Sequence, residues 1–163
     1  MNQPDDYISV EHLLPSRSST VLITEIVSHD PDHGITCGLE LRGDEHYLKG
    51  HFPGAPMLPG VLELEAMFQA ACLWYALKSE QVEDENDSLR KRASDLVLSK
   101  IRSARFQHTI IPPQSVEITS RIENQTGDEI LFSGSITSRN DENPQTFASA
   151  SFLTVLSGYS HDQ

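Results

Sequence analysis

The sequence predicts an α+β domain in which an antiparallel sheet of about six strands wraps around one long central helix. One segment, Val61 to Lys78, contains no glycine or proline and is apolar on almost every side, as a buried helix is. The other patterned segments are short, rich in β-branched residues and separated by turn-forming residues, which is typical of antiparallel strands. Because such a helix must be covered, we expect the sheet to curl around it.

The first two strands are predicted to form a hairpin. Thr20 to Val27 is rich in β-branched residues, and Ile35 to Arg42 alternates apolar and polar positions. Residues 28–34 between them contain Asp, Pro and Gly and predict the turn. Before the hairpin, residues 1–10 are predicted to be loose and residues 12–15 to form a turn of helix or a loop.

The last third of the chain is predicted to be all strand. The four candidates are Leu96 to Phe106, Val116 to Glu123, Glu129 to Ser138 and Thr146 to Leu156. Between the helix and these strands, residues 79–94 are charged and poor in apolar residues, so we predict a mobile loop. The length of 163 residues fits one domain, with a loose end at 158–163.

Composition restricts the classes of function. The 24 acidic and 12 basic residues give a net charge of −12, which argues against a nucleic-acid partner. The longest apolar stretch is interrupted by charged residues, and the N-terminus lacks the pattern of a signal peptide. Two cysteines do not indicate a disulfide framework. We therefore expect a cytoplasmic protein that does not enter a membrane.

One motif carries the functional prediction. Residues 51–69 read HFPGAPMLPGVLELEAMFQ. They meet every fixed position of H-F-P-G-x-P-x-x-P-G-V-L-x-x-E-A-x-x-Q, and so the chain resembles the Z-type 3-hydroxyacyl-acyl-carrier-protein dehydratases of bacterial fatty acid synthesis. Ser103 to Phe106 also resembles the A-R-F element of that family.

The resemblance implies a hotdog fold and a lyase that converts (3R)-3-hydroxyacyl-acyl-carrier-protein to the trans-2-enoyl product. It implies catalysis by His51 and Glu65, which in the family come from two subunits of one site. It further implies a homodimer, often a trimer of dimers, an acyl carrier protein as partner, an apolar tunnel, and neither a metal nor an organic cofactor.

The chemistry of the two residues agrees with these roles. Imidazole exchanges protons near neutral pH, which suits His51 as the base that takes the C2 proton. Glu65 lies on a helix expected to be buried, where an unpaired carboxylate costs several kcal/mol, so a functional role is favoured. Glu65 would assist departure of the C3 hydroxyl group.

The substrate-binding prediction comprises Gly60, Val61, Gln69 and Phe106. Backbone N–H groups at the helix start, around Gly60 and Val61, lack intrahelical partners and suit an oxygen that gains negative charge. Gln69 follows Glu65 by one helical turn and could orient it or a water molecule. By the resemblance, Phe106 is the tunnel residue.

A local basic patch is predicted for an acidic carrier protein, formed by Lys100, Arg102 and Arg105. The chain departs from the family at Ser16, Ser18 and Pro113, and at Glu63, where the family has an aliphatic residue. Glu63 lies about 200° around the helix from Glu65, which predicts a solvated or rim position.

Two other functions remain open from the sequence. A hotdog thioesterase could use a carboxylate on the same helix to activate water, and a non-catalytic subunit could bind an acyl chain without turnover. The cluster of His29, Asp30, Asp32 and His33 lies in a predicted turn that contains a proline, so it is a weak candidate for zinc.

Overall fold

A computed structural model describes residues 10–14, 20–78 and 85–157. The described helices are α1 (Val10–Leu13), α2 (Gly60–Leu77) and α3 (Glu85–Asp95), with a short 3-10 helix at His46–Leu48. The strands are β1 (Glu25–Asp30), β2 (Gly34–Leu41), β3 (Leu96–Phe106), β4 (Gln114–Thr126), β5 (Glu129–Ser138) and β6 (Thr146–Leu156).

The described strands form one antiparallel sheet in the order β1-β2-β4-β5-β6-β3. Helix α2 contacts β2, β4, β5 and β3, so strands from both halves of the sheet cover it. Its side chains Met67, Leu73 and Trp74 are fully buried. The predicted α+β architecture, with a six-stranded sheet around one long helix, is therefore confirmed.

The helix lies unusually close to the sheet at two points. A Cβ atom added to Gly134 of β5 would lie 2.7 Å from Met67 Sδ and 3.0 Å from Met67 Cβ. The buried Ser120 hydroxyl of β4 donates a hydrogen bond of 2.6 Å to the Met67 carbonyl oxygen. These contacts fix the depth of α2 against the sheet.

The first strand of the hairpin lies further along the chain than predicted. Strand β1 begins at Glu25 rather than at Thr20, and Thr20 to Thr24 precedes the strand. Leu22 and Ile23 are buried, and the Leu22 N–H bonds to a helix side chain, so tertiary packing overrides their strand propensity. The turn is short because the Asp30 carboxylate accepts from the Asp32 and His33 N–H groups.

The prediction of a mobile loop at 79–94 was wrong for its second half, which begins α3. Leu89 and Ala93, four residues apart, are buried against the core and form a narrow apolar stripe. The Arg92 guanidinium donates a hydrogen bond of 3.2 Å to the Tyr75 carbonyl oxygen near the end of α2. Residues 79–84 lie outside the described residues.

The remaining predictions of elements agree with the structure closely. Strands β3, β5 and β6 have the predicted bounds, and α2 begins and ends one residue earlier than predicted. Apart from Val10, the termini predicted to be loose lie outside the described residues. No helix in the described part of the chain is long and apolar enough to cross a membrane.

Candidate active site

A short loop between the 3-10 helix and α2 holds His51. The His51 N–H donates to the Leu48 carbonyl (3.1 Å), and the His51 carbonyl accepts from the Met57 N–H (3.0 Å). The loop is tied to the segment between β3 and β4 because the Leu58 N–H donates to the Ile110 carbonyl at 2.9 Å. The backbone of His51 is thus fixed on both sides.

The contacts of the His51 ring set its tautomer. Nδ1 lies 3.3 Å from the Met57 carbonyl oxygen, which can only accept, so Nδ1 carries the proton. Nε2 then has the free lone pair that a general base requires. The ring also stacks on Phe52, with 4.5 Å between the centroids.

His51 opens onto a cleft of about 300 Å³, which Gly60, Glu63 and Phe106 also line. A Cβ atom at Gly60 would lie 3.0 Å from Phe106 Cε1, so only glycine leaves the Phe106 ring in its place. Phe106 itself is half-exposed at the end of β3. The structure therefore brings His51, Gly60 and Phe106 together in the lining of one cleft.

The start of α2 offers backbone donors. The Pro59 carbonyl accepts from the N–H groups of Leu62 (2.8 Å) and Glu63 (3.2 Å). The N–H groups of Gly60 and Val61 precede this turn and have no hydrogen-bond partner among the described residues. They suit an oxygen atom that gains negative charge.

Glu65 lies in a different cleft, of about 500 Å³, with Val61, Leu62 and Tyr47 in its walls. The Gln69 Nε2 group donates to Glu65 Oε1 at 2.8 Å and to the Thr20 carbonyl at 2.8 Å. Gln69 Oε1 accepts from the Leu22 N–H at 3.0 Å. Gln69 therefore holds one oxygen of Glu65 and leaves the other for a ligand.

His51 and Glu65 thus line separate clefts of one chain. Gly60 and Phe106 accompany His51, whereas Val61 accompanies Glu65. The first turn and a half of α2 contributes to both clefts, because Gly60 and Glu65 lie on different sides of the helix.

The prediction of a solvated or rim position for Glu63 was wrong. Glu63 is 3 % exposed, and its Oε2 atom has no hydrogen-bond partner in the described part of the chain. Burial raises the pKa of Glu63 to about 7. Glu63 and Glu65 lie on different sides of the helix, as the helical angle predicted. The side of Glu63, however, forms part of the wall of the His51 cleft and does not face solvent.

Sequence reasoning missed three further groups at these clefts: Glu63, the Met57 carbonyl and Tyr47. Met57 could not be found from its side chain, because its carbonyl oxygen makes the contact. Burial raises the pKa of Tyr47 to about 12, so its hydroxyl group stays neutral beside the Glu65 cleft. Spacing from Gly60, one helical turn, was a usable signal for Glu63.

The three predicted docking residues, Lys100, Arg102 and Arg105, are all exposed on β3. This strand is an edge of the sheet, and of its residues only Leu96 is buried. Irregularities in the pairing with β6 fall between Leu98 and Lys100 and between Ile101 and Ser103, so simple alternation of side chains is interrupted there.

Residues 27–149 match the ApeI-like family, whose description is ApeI dehydratase. The 3-hydroxyacyl-[acyl-carrier-protein] dehydratase FabZ of Anaeromyxobacter sp. (strain K) is 32% identical over 122 residues, which cover 75% of this chain and 74% of that protein. The FabZ protein of Anaeromyxobacter sp. (strain Fw109-5) is 28% identical and covers 93% of this chain and 89% of its own length.

Solved structures show the fold. A chain of the dehydratase heterocomplex ApeI:P from Xenorhabdus doucetiae has a TM-score of 0.68 at 17% identity, covering 93% of this chain and 92% of that one. Zebra fish thioesterase superfamily member 2 has a TM-score of 0.65 at 12% identity, covering 90% and 92%. These neighbours are hotdog proteins, and the predicted hotdog fold is confirmed. The chain belongs to the ApeI-like dehydratases, related to the 3-hydroxyacyl-[acyl-carrier-protein] dehydratases.

Proposed function

We propose that this protein removes water from (3R)-3-hydroxyacyl thioesters borne by an acyl carrier protein and yields the trans-2-enoyl thioesters. One observation carries the proposal beyond family membership. His51 has its Nδ1 atom engaged by the Met57 carbonyl and opens onto the cleft that Gly60 lines at the start of α2. This arrangement supports a mechanism in which His51 acts as the base and the Gly60 amide binds the carbonyl oxygen.

The reaction needs both groups because the C2 proton of a thioester is only weakly acidic. Nε2 of His51 takes this proton as the C2–H bond breaks. The electrons move toward the thioester oxygen, where the Gly60 and Val61 N–H groups stabilise the developing negative charge. The carbonyl re-forms as the C3–O bond breaks, and the hydroxyl group leaves as water.

We assign protonation of the leaving hydroxyl group to Glu65 of a second copy of the chain. Two features support this assignment. Glu65 and His51 line different clefts of one chain, and the surface around them is apolar, with Val61 73 % exposed and Phe52 55 % exposed. A homodimer covers this surface and completes each site; a trimer of dimers is a larger assembly of the same unit.

Carrier-protein docking is assigned to Lys100, Arg102 and Arg105. All three are exposed on the strand that ends at Phe106 in the wall of the His51 cleft. An acidic carrier protein that docks there can place its acyl group in the cleft.

The two cysteines, Cys37 and Cys72, are free, which suits the reducing cytoplasm as the site of the reaction.

The test follows enoyl-thioester absorbance with carrier-bound and coenzyme A substrates. We expect His51→Ala and Glu65→Gln each to lower kcat by about a hundredfold or more. His108→Ala, an exposed histidine that lines the same cleft, is the matched control and should retain most of the activity. Either of two results contradicts the dehydratase assignment: an inactive wild type favours a non-catalytic acyl-binding subunit, and release of free thiol in place of enoyl product favours a thioesterase.

Mixing the two inactive variants tests the shared site. A heterodimer of His51→Ala and Glu65→Gln chains contains one intact site and one doubly damaged site. After random exchange of subunits, about a quarter of wild-type activity should return. If both residues of a site came from one chain, no mixture would recover activity.

Docking is tested separately. Reversing the charges in the triple variant Lys100→Glu, Arg102→Glu, Arg105→Glu should raise KM for carrier-bound substrate about tenfold or more, because attraction to the carrier is lost. KM for the coenzyme A substrate should change far less. An equal rise for both substrates places these residues outside the carrier contact.

A further inference from the structure

The wall of the His51 cleft contains a carboxyl group that the proposed mechanism does not use. Glu63 lines this cleft and is 3 % exposed. Its Oε2 atom has no hydrogen-bond partner in the part of the chain that the structure describes. A buried polar atom without a partner is rare in folded proteins and calls for an explanation.

A purely structural role explains this position poorly. Leucine or isoleucine would fill similar space in the core without a carboxyl group to desolvate. Glu63 makes no ion pair among the described residues, so no opposite charge offsets its burial. Glu63 is also distinct from the carboxylate of the mechanism, because Glu65 lies in the other cleft with Gln69.

The position of Glu63 along α2 indicates what it meets. It follows Gly60 by three residues, so the two share one side of the helix and are separated by about 4.5 Å along its axis. A thioester carbonyl bound at the Gly60 amide therefore has Glu63 a few carbon atoms away. The carrier arm enters from solvent, whereas Glu63 is buried, so the acyl chain is the part that reaches it.

We infer that Glu63 is a specificity-determining residue, and that the acyl chains preferred by this cleft carry a hydrogen-bonding oxygen a few carbons beyond C3. This inference rests on the proposed function for the placement of the thioester. A neutral carboxyl group both donates and accepts, so it can pair with a hydroxyl or carbonyl oxygen of the chain. A plain alkyl chain would leave the carboxyl group unpaired, which lowers its affinity.

The test measures binding without turnover. The ligands are amide analogues of 3-hydroxyoctanoyl-pantetheine, in which nitrogen replaces the thioester sulfur, and their counterparts with a second hydroxyl group at C5, C6 or C7. Calorimetry should show at least one hydroxylated chain binding the wild-type protein about tenfold more tightly than the plain chain. Glu63→Leu should abolish this preference and bind the plain chain more tightly, whereas Glu63→Gln, which still donates and accepts, should retain part of it.

Three results overturn the inference. The wild-type protein and Glu63→Leu could rank the chains in the same order. Glu63→Leu could weaken all ligands by one factor with an unchanged sedimentation coefficient, which assigns Glu63 to the shape of the cleft. It could also dissociate the dimer, which assigns Glu63 to the subunit contact. If the preference is found but wild-type protein dehydrates no thioester, the proposed function fails while the recognition of an oxygen-bearing chain stands.

Discussion

Gln69 is the residue on which the Glu65 cleft depends most directly. Its amide group makes three hydrogen bonds, to Glu65, to the Thr20 carbonyl and to the Leu22 N–H. Because the side chain is buried, these bonds have little competition from water. The same amide thus orients the carboxylate and anchors the segment before β1.

We predict that Gln69→Leu affects both activity and stability. It leaves the Leu22 N–H and the Thr20 carbonyl without this partner, which should lower the free energy of unfolding by about 2 kcal/mol or more. The loss of the Glu65 contact should lower kcat by about tenfold. Urea denaturation and the enoyl assay measure the two effects, with exposed Gln125→Leu as the control. Unchanged kcat in a folded Gln69→Leu variant would show that Glu65 needs no such support.

A second prediction at this scale concerns pH. Burial raises the pKa of Glu63 from 4.5 to about 7, so the folded chain holds this proton more tightly than the unfolded chain. The contribution of Glu63 to the free energy of unfolding is therefore greatest below pH 4.5, declines as the pH rises to about 7, and stays low above pH 7. The decline is about 3 kcal/mol in size.

Glu63→Gln has no group to titrate at this position, so it isolates the effect. The difference in free energy of unfolding, wild type minus variant, should fall between pH 4.5 and 7 and then become constant. Urea titrations at fixed ionic strength and protein concentration measure it, and exposed Glu129→Gln is the control. A difference that is constant over the whole range would contradict the raised pKa.

At the level of single residues, the candidate site could be proposed largely from the sequence. His51, Gly60 and Glu65 follow from a motif whose chemistry has few alternatives. The buried position of Glu63 could not be predicted, because the helical angle gives the direction of its side chain but not whether solvent or protein lies in that direction. The Met57 carbonyl could not be predicted, since backbone atoms carry no signature in the sequence.

At the level of elements, the contact between α2 and β5 sets how deep the helix lies. We predict that Gly134→Ala lowers the free energy of unfolding by about 1–3 kcal/mol, because its Cβ atom would lie 2.7 Å from Met67 Sδ. The adjacent Ser135→Ala, whose side chain faces the other side of the sheet, should have little effect. Thermal or urea unfolding measures the stability of both variants. If Gly134→Ala were as stable as Ser135→Ala, the helix would be able to move away from the added Cβ atom without loss of stability.

The elements that the sequence predicted well are those with a strong local pattern. Strands β3, β5 and β6 and helix α2 fall into this class. Strand β1 lies at later residues than predicted, and helix α3 was predicted as a loop. Long-range contacts determine where both elements form. Leu22 bonds to Gln69 in place of a strand partner, and α3 has only Leu89 and Ala93 as its apolar stripe.

At the level of the whole molecule, the sheet ends in two unequal edges. Strand β3 exposes Val97, Leu98 and Ile101, and it ends at Phe106 beside the His51 cleft. Strand β1 is shorter and exposes Val27. A long edge with exposed apolar residues is the one expected to meet another chain.

We therefore predict that the contact of the proposed dimer extends from the surface around Val61 and Phe52 along β3 as far as Ile101, with the docking residues left exposed beside it. Ile101→Asp should dissociate this proposed dimer and lower activity by about tenfold or more, because each site loses its second chain. Val27→Asp is the matched control, since Val27 is 42 % exposed and Ile101 is 43 % exposed. Analytical ultracentrifugation measures both. Dissociation by Val27→Asp alone would place the contact at β1.

The start of α2 has one further consequence for the assembly. Gly60 and Glu65 are separated by about 7.5 Å along the axis of α2, yet in the proposed dimer they belong to two different active sites. We expect a ligand bound at the Gly60 amide to alter the position of Glu65 on the same helix, and therefore to act on the site that this Glu65 completes. The α2 helix of the partner would couple the two sites in the opposite direction, so occupation of the first site is expected to change the affinity of the second.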